Sequence, residues 1–202
     1  MDLLSDTYYS IGAPSEGIYK ELGSRFIALA YPVETEAEVK ELVSGLRKQY
    51  HDARHHCYAY RLGLGGTVSR ASDDGEPSGS AGRPILGQLL SEDLSDVLVV
   101  VVRYFGGIKL GVPGLIRAYK TSASDALAAA QKISKTAGAW YRIEFPYEAM
   151  QEVMSLVKDL GLPQRAQDFS TVCSMEVRVR LSLDADFLER IKNIPNFIFT
   201  KL

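Results

Sequence analysis

Residues 97–102 (Val-Leu-Val-Val-Val-Val) form an aliphatic run without alternation, which predicts a strand covered on both faces. Residues 36–50 predict a helix. Val39, Leu42, Val43 and Leu46 recur at helical spacing, and Thr35 with Glu38 makes a capping box in front of them. Upstream, residues 7–11, 16–20 and 25–31 are short, β-rich segments punctuated by Gly12, Pro14, Gly17 and Gly23, which predicts an antiparallel meander. Residues 56–62 read as a strand, and residues 67–72 as its hairpin partner across Gly63-Leu64-Gly65-Gly66. Pro84 suits the first turn of a short helix ending near Leu90. A second helix, from about Gly114 to Gln131, sets alanines at 118, 123, 126, 128, 129 and 130 for close packing on a sheet; Arg117, Lys120, Thr121 and Ser124 lie on its other face.

Residues 133–137 read as a linker, after which strand, helix, strand, strand, helix, strand follow over residues 139–145, 147–160, 163–169, 172–181, 184–194 and 197–201. That order suits a ferredoxin-like sandwich. Alternation turns Ala139, Tyr141, Ile143 and Phe145 inward, together with Cys173, Met175, Val177, Val179 and Leu181. Trp140, Arg142, Glu144, Glu176, Arg178 and Arg180 are left on the opposite face. The expectation is an α+β chain with one domain over residues 1–133 and a second over residues 134–202.

Composition adds limits. At 202 residues, 46% hydrophobic and 24% charged, the chain can bury a real core and is neither disordered nor collagenous. Its longest aliphatic run is six residues, far below the ~18 that suggest a membrane span. The first six residues lack a basic or apolar leader, which points to the cytoplasm. Cys57 and Cys173 stand far apart without metal-ligand neighbours, so they read as reduced, buried thiols, and no metal or cofactor is expected. Net charge is −2 for the first 133 residues and zero for the rest, so any nucleic-acid contact must come from a local basic patch.

Candidate chemistry centres on two segments. Of the 17 glycines, 11 fall between Gly63 and Gly114, which marks one local backbone architecture. Residues 73–83 carry Asp73, Asp74 and Glu76 with Gly79, Ser80 and Gly82 and no apolar side chain larger than alanine. Such a stretch cannot supply core and reads as a cleft wall. Its acids break the calcium-loop spacing and are expected to form turn bonds or to pair with Arg103 or Arg117 in the second segment. There, Gly106 and Gly111 have the gap of a phosphate loop, but Val112 and Pro113 replace its Lys and Ser/Thr, so nucleotide hydrolysis of that type is rejected. Two readings remain open: an anion site formed by Gly106 and Gly107 with Arg103, Lys109, Arg117 and Lys120, or a tight strand-to-helix turn. His55, His56 and Cys57 are adjacent, and alternation lets at most two share a site, with His56 the candidate for shaping the cleft. Trp140 with Arg142, Arg178 and Arg180 is either a stacking surface for RNA or a packing face.

These motifs together, Asp73-Asp74-Gly75-Glu76-Pro77, Ser78-Gly79-Ser80-Ala81-Gly82-Arg83-Pro84, residues 103–111 and residues 114–119, with residues 55–60 ahead of them, closely resemble the YigZ/Impact family. The likeness is dense from about residue 17 to residue 130. Ser80 stands where the family usually has threonine, and Val112-Pro113 replaces an Ala-Gly pair. The resemblance implies an N-terminal domain like those of ribosomal and translation-factor proteins and a ferredoxin-like C-terminal domain. Eukaryotic members regulate translation initiation under stress by competing for the activator of an initiation-factor kinase; the two-domain layout resembles the bacterial branch. The expectation is a non-enzymatic, translation-related regulator that meets RNA or the ribosome. The alternatives are an enzyme acting on a phosphorylated small molecule with His56 or Asp73 as base, and a regulator that binds only a protein partner.

Overall fold

A computed structural model of the chain describes residues 6–170 and 172–202; the first five residues of the N-terminal stretch read above for a leader lie outside them. The described chain divides into two compact units, one over Tyr8–Lys135 and one over Thr136–Leu202 with Asp6 and Thr7.

In the first unit, β1 (Thr7–Ile11) is followed by the hairpin β2 (Ser15–Glu21) and β3 (Ser24–Pro32), then α1 (Glu36–Gln49), β4 (His55–Leu62), β5 (Val68–Ser72), α2 (Gly82–Ser91), β6 (Val97–Tyr104), α3 (Gly111–Ala129) and β7 (Lys132–Thr136). Strands β2-β3-β6-β4-β5 form one antiparallel sheet. β6 is central, and its unbroken aliphatic run explains why. Val97, Val99 and Val101 join the core under α2 and α3, with Phe26, Cys57, Ile85, Leu89, Tyr119 and Leu127. Leu98, Val100 and Val102 join the core under α1, with Ile27, Leu29, Val39, Val43 and Leu46. Thr35 caps α1, accepting from the Glu38 amide at 3.2 Å, while Glu38 reaches back to the amide of Glu34.

Three local expectations change. β1 leaves the meander and pairs with β7, so residues 132–136 are a strand where a linker was expected. Both strands have only five residues, and their partners are far apart in the chain, so no local pattern carries the pairing. α3 begins at Gly111, three residues early, because Pro113 fits the first turn, where its missing N–H costs nothing.

The second unit runs β8 (Gly138–Phe145), α4 (Met150–Asp159), β9 (Gln164–Phe169), β10 (Cys173–Arg180), α5 (Asp184–Ile191) and β11 (Ile198–Lys201). Its antiparallel sheet has the order β11-β8-β10-β9, the ferredoxin-like arrangement. The alternation read in β8 and β10 is seen for Tyr141, Ile143, Phe145, Cys173, Met175, Val177 and Val179, which are buried with Val153, Leu156, Phe187 and Ile191 of the helices. Leu181, expected inward, is exposed, because β10 ends at Arg180 and the chain turns into a short 3-10 segment there. Among the described residues no helix is long and apolar enough to cross a membrane.

Candidate functional site

The register of the first sheet sets His55 of β4 directly opposite Arg103 of β6. Between them and the first turn of α3 lies residues 73–82, held in place mainly through its own carboxylates. Asp73 accepts hydrogen bonds from the amides of Gly79 (2.8 Å), Ala81 (3.0 Å) and Gly82 (2.8 Å), and so caps α2, whose own N-cap residue offers no side chain. Burial alone would raise the Asp73 carboxyl; the three amide donations outweigh it and hold the group below its ordinary value. Asp74 accepts from Arg47 (2.6 Å) and from the backbone of His56 (2.7 Å). Ser80 is fully buried and its hydroxyl donates to the Pro77 carbonyl at 2.6 Å.

Glu76 is the buried acid of the site. Arg103 donates to it at 2.5 Å and Tyr119 at 2.8 Å, and His55 Nε2 lies 3.9 Å away. Cys57 Sγ sits 3.3 Å from the Tyr119 hydroxyl and 2.9 Å from the Asp73 carbonyl. Burial pushes both the Cys57 thiol and the Tyr119 phenol well above their ordinary values, so both stay protonated and Cys57 lacks the thiolate that a nucleophile needs.

A cleft of about 450 Å³ opens on this network, lined by Arg54, His55, Glu76, Arg103, Phe105 and Lys109, with Gly111 and Val112 from the start of α3. No ion pair engages Arg54 or Lys109 among the described residues. The start of α3, at Leu110, Gly111 and Val112, lines the cleft; no side chain caps it and no acid lies in its first turn, although Pro113 there has no N–H to offer. Arg103 is 6% exposed and its Nε is buried with no hydrogen-bond partner. The surplus of positive groups suits an anion.

Several residues singled out in the sequence stand elsewhere. Arg117 pairs with Glu21 and not with the acids of residues 73–76. Lys120 is exposed on α3, outside the cleft lining. His56 packs on the opposite side of β4 from His55, beside Asp74; burial lowers its pKa, and its Nε2 is unpartnered. Strand alternation makes His55 and Cys57 the pair that shares a face, so His55, not His56, lines the cleft. Gly106 and Gly107 do not line it either. A Cβ on Gly106 would stand 1.9 Å from the Gly23 carbonyl carbon, so close packing on the β2–β3 turn explains that glycine; Gly107 has φ +88°. The part of this loop that lines the cleft comes later, at Lys109, Gly111 and Val112. Arg54, His55 and Phe105 were missed as lining residues, although adjacency to the cleft segments is a signal available in the sequence.

In the second unit, Trp140, Arg142 and Arg178 share the open sheet face, where Arg178 stands opposite Trp140 and Arg142 opposite Glu176. The Arg165 guanidinium, not foreseen, lies 3.9 Å from the Trp140 ring and pairs with Glu176 at 2.7 Å. Arg142 pairs with Glu144 at 3.3 Å, and Arg178 donates to the Thr136 carbonyl at 3.0 Å. Arg180 is engaged by Asp6 at 2.8 Å. Among the described residues no group of three or more His, Cys, Asp or Glu could hold a metal ion.

The Impact N-terminal domain model matches residues 22–127. Over 170 residues, 83% of either chain, the sequence is 36% identical to the Impact family member YigZ of Escherichia coli (strain K12). It is 50% identical over 104 residues to YvyE of Bacillus subtilis (strain 168), a match covering 52% of this chain and about half of that relative's length, 48%. A crystal structure of a hypothetical protein is similar with a TM-score of 0.73 at 27% identity, covering 98% of both chains.

Proposed function

The chain belongs to the Impact family, and from that premise we propose that it is a non-enzymatic, translation-related regulator that works in the cytoplasm and associates with RNA or the ribosome through the cleft between its glycine-rich segments. The observation that carries this reading is the convergence of Arg54, Arg103 and Lys109 with the uncapped start of α3 on one cleft, against a single acid, Glu76, that Arg103 already neutralises. Positive groups converging on an open helix N-terminus hold phosphate without reading sequence. The link to translation comes with the family, as its resemblance implies. The open face carrying Trp140, Arg142 and Arg178 supplies a second, weaker basic surface, since Arg165 already covers the Trp140 ring and Glu144 and Glu176 offset its charge.

The test is RNA binding as a function of salt. Affinity should fall steeply with ionic strength, and Lys109→Glu or Arg54→Glu should each weaken binding and lower the salt slope by about 1. Arg117→Glu, outside the cleft, should change it little. Binding that ignores salt, or none at all, would overturn the reading. Co-sedimentation with ribosomes before and after nuclease treatment then separates RNA association from association with a protein.

A further inference from the structure

Resting on the reading above, we propose that the cleft takes one unstacked nucleotide of single-stranded RNA, its phosphate over Lys109, Arg54 and the start of α3 and its base against Phe105. Phe105 is 44% exposed although it lines the cleft. Its ring is fixed from one side by the Arg103 guanidinium, 5.6 Å from the centroid. An exposed aromatic beside unpaired cations is the pairing by which single strands are held: the cations track the phosphate and the ring takes a base face.

The apolar remainder of the lining, Leu110, Val112 and Leu115, would do nothing for a duplex, whose bases are stacked inward and whose outer surface is sugar and phosphate. About 450 Å³ lies in the range of sites that enclose small molecules, roughly 300–1,000 Å³, so it accepts one nucleotide unit and not a double helix. A cleft serving phosphate alone has no use for an exposed phenyl ring at its wall.

The experiment compares a short, labelled oligouridylate with a blunt RNA duplex carrying the same label, by fluorescence anisotropy with the full chain. The single strand should bind more tightly, and Phe105→Ala should weaken it by roughly 5- to 150-fold while leaving duplex binding unchanged. Phe105→Leu keeps apolar bulk without a π-face and should fall with alanine, whereas Phe105→Trp should retain affinity, which separates stacking from loss of fold. Equal affinity for the two RNAs, or indifference to Phe105→Ala while Lys109→Glu still abolishes salt-dependent binding, overturns this proposal and leaves the broader reading standing. Failure to bind either RNA overturns both, whereas retention on RNA-free ribosomal protein overturns this proposal and leaves the ribosome arm of the broader reading.

Discussion

Glu76 is the residue on which the cleft depends most, because it is a buried carboxylate whose neighbours, Arg103 and Tyr119, come from β6 and α3. Removing one member of a buried ion pair strands the other charge, which costs far more than the pair contributes. Glu76→Leu should therefore destabilise the first unit by about 3–5 kcal/mol in urea titrations followed by circular dichroism. Glu76→Leu with Arg103→Met should recover much of that loss, since the stranded charge goes too. A single substitution that costs no more than the double would show that Glu76 is not the anchor described here. The sequence named the acids and Arg103 as partners, and that pairing is in the structure. It could not say which acid, nor that Arg117 would turn to Glu21, because both choices depend on strand register and on the rotation of α3.

Elements built on strong local periodicity were legible: α1 with its cap, the buried strand β6, the β4–β5 hairpin, and the alternating strands β8 and β10. What escaped was set by distant contacts. The β1–β7 pairing joins the two ends of a unit, and the glycine at 106 is explained by a neighbour more than eighty residues earlier in the chain. The β2–β3 connection is a two-residue turn with positive φ at Leu22 and Gly23, a tight geometry that leaves its backbone open to contact. Gly106 lies on that turn, and its amide donates to Ser24 Oγ at 3.2 Å. An added Cβ would meet backbone, which cannot swing aside as a side chain can. Gly106→Ala should cost about 3 kcal/mol, the upper end of ordinary overpacking, by thermal denaturation. Gly87→Ala, within α2 and facing open space, should instead stabilise by about 0.5–1 kcal/mol. Equal effects at the two positions would refute the packing argument.

At the scale of the whole molecule, two units with cores built from different stretches of chain make a single unfolding free energy ill-defined, so each unit needs its own reporter. Trp140, the one tryptophan in the sequence, reports on the second unit. That unit is not contiguous: Asp6, buried at 4% exposure, accepts from Arg180 Nη2 (2.8 Å) and Nε (3.2 Å) and from the Ser182 hydroxyl (2.6 Å) and amide (3.2 Å). No reading of local pattern could place residue 6 beside residue 180, since the contact is made only when the sheet has formed. The Arg180 and Ser182 hydrogen bonds hold the Asp6 carboxyl far below the ordinary carboxylate range. In acid the unfolded chain therefore binds a proton that the folded unit refuses. The stabilisation is fully present above about pH 5 and declines as pH falls through the unfolded carboxyl value, near 3.9, toward the lower folded one. Followed by Trp140 fluorescence, Asp6→Asn should lower the stability of this unit by about 1–3 kcal/mol at neutral pH. The gap between variant and parent should then close progressively as the pH drops below about 4, because the proton bound by the unfolded parent chain offsets the advantage of the ionised carboxylate in the folded unit. A gap that stays constant into acid would mean that Asp6 acts by shape and not by charge.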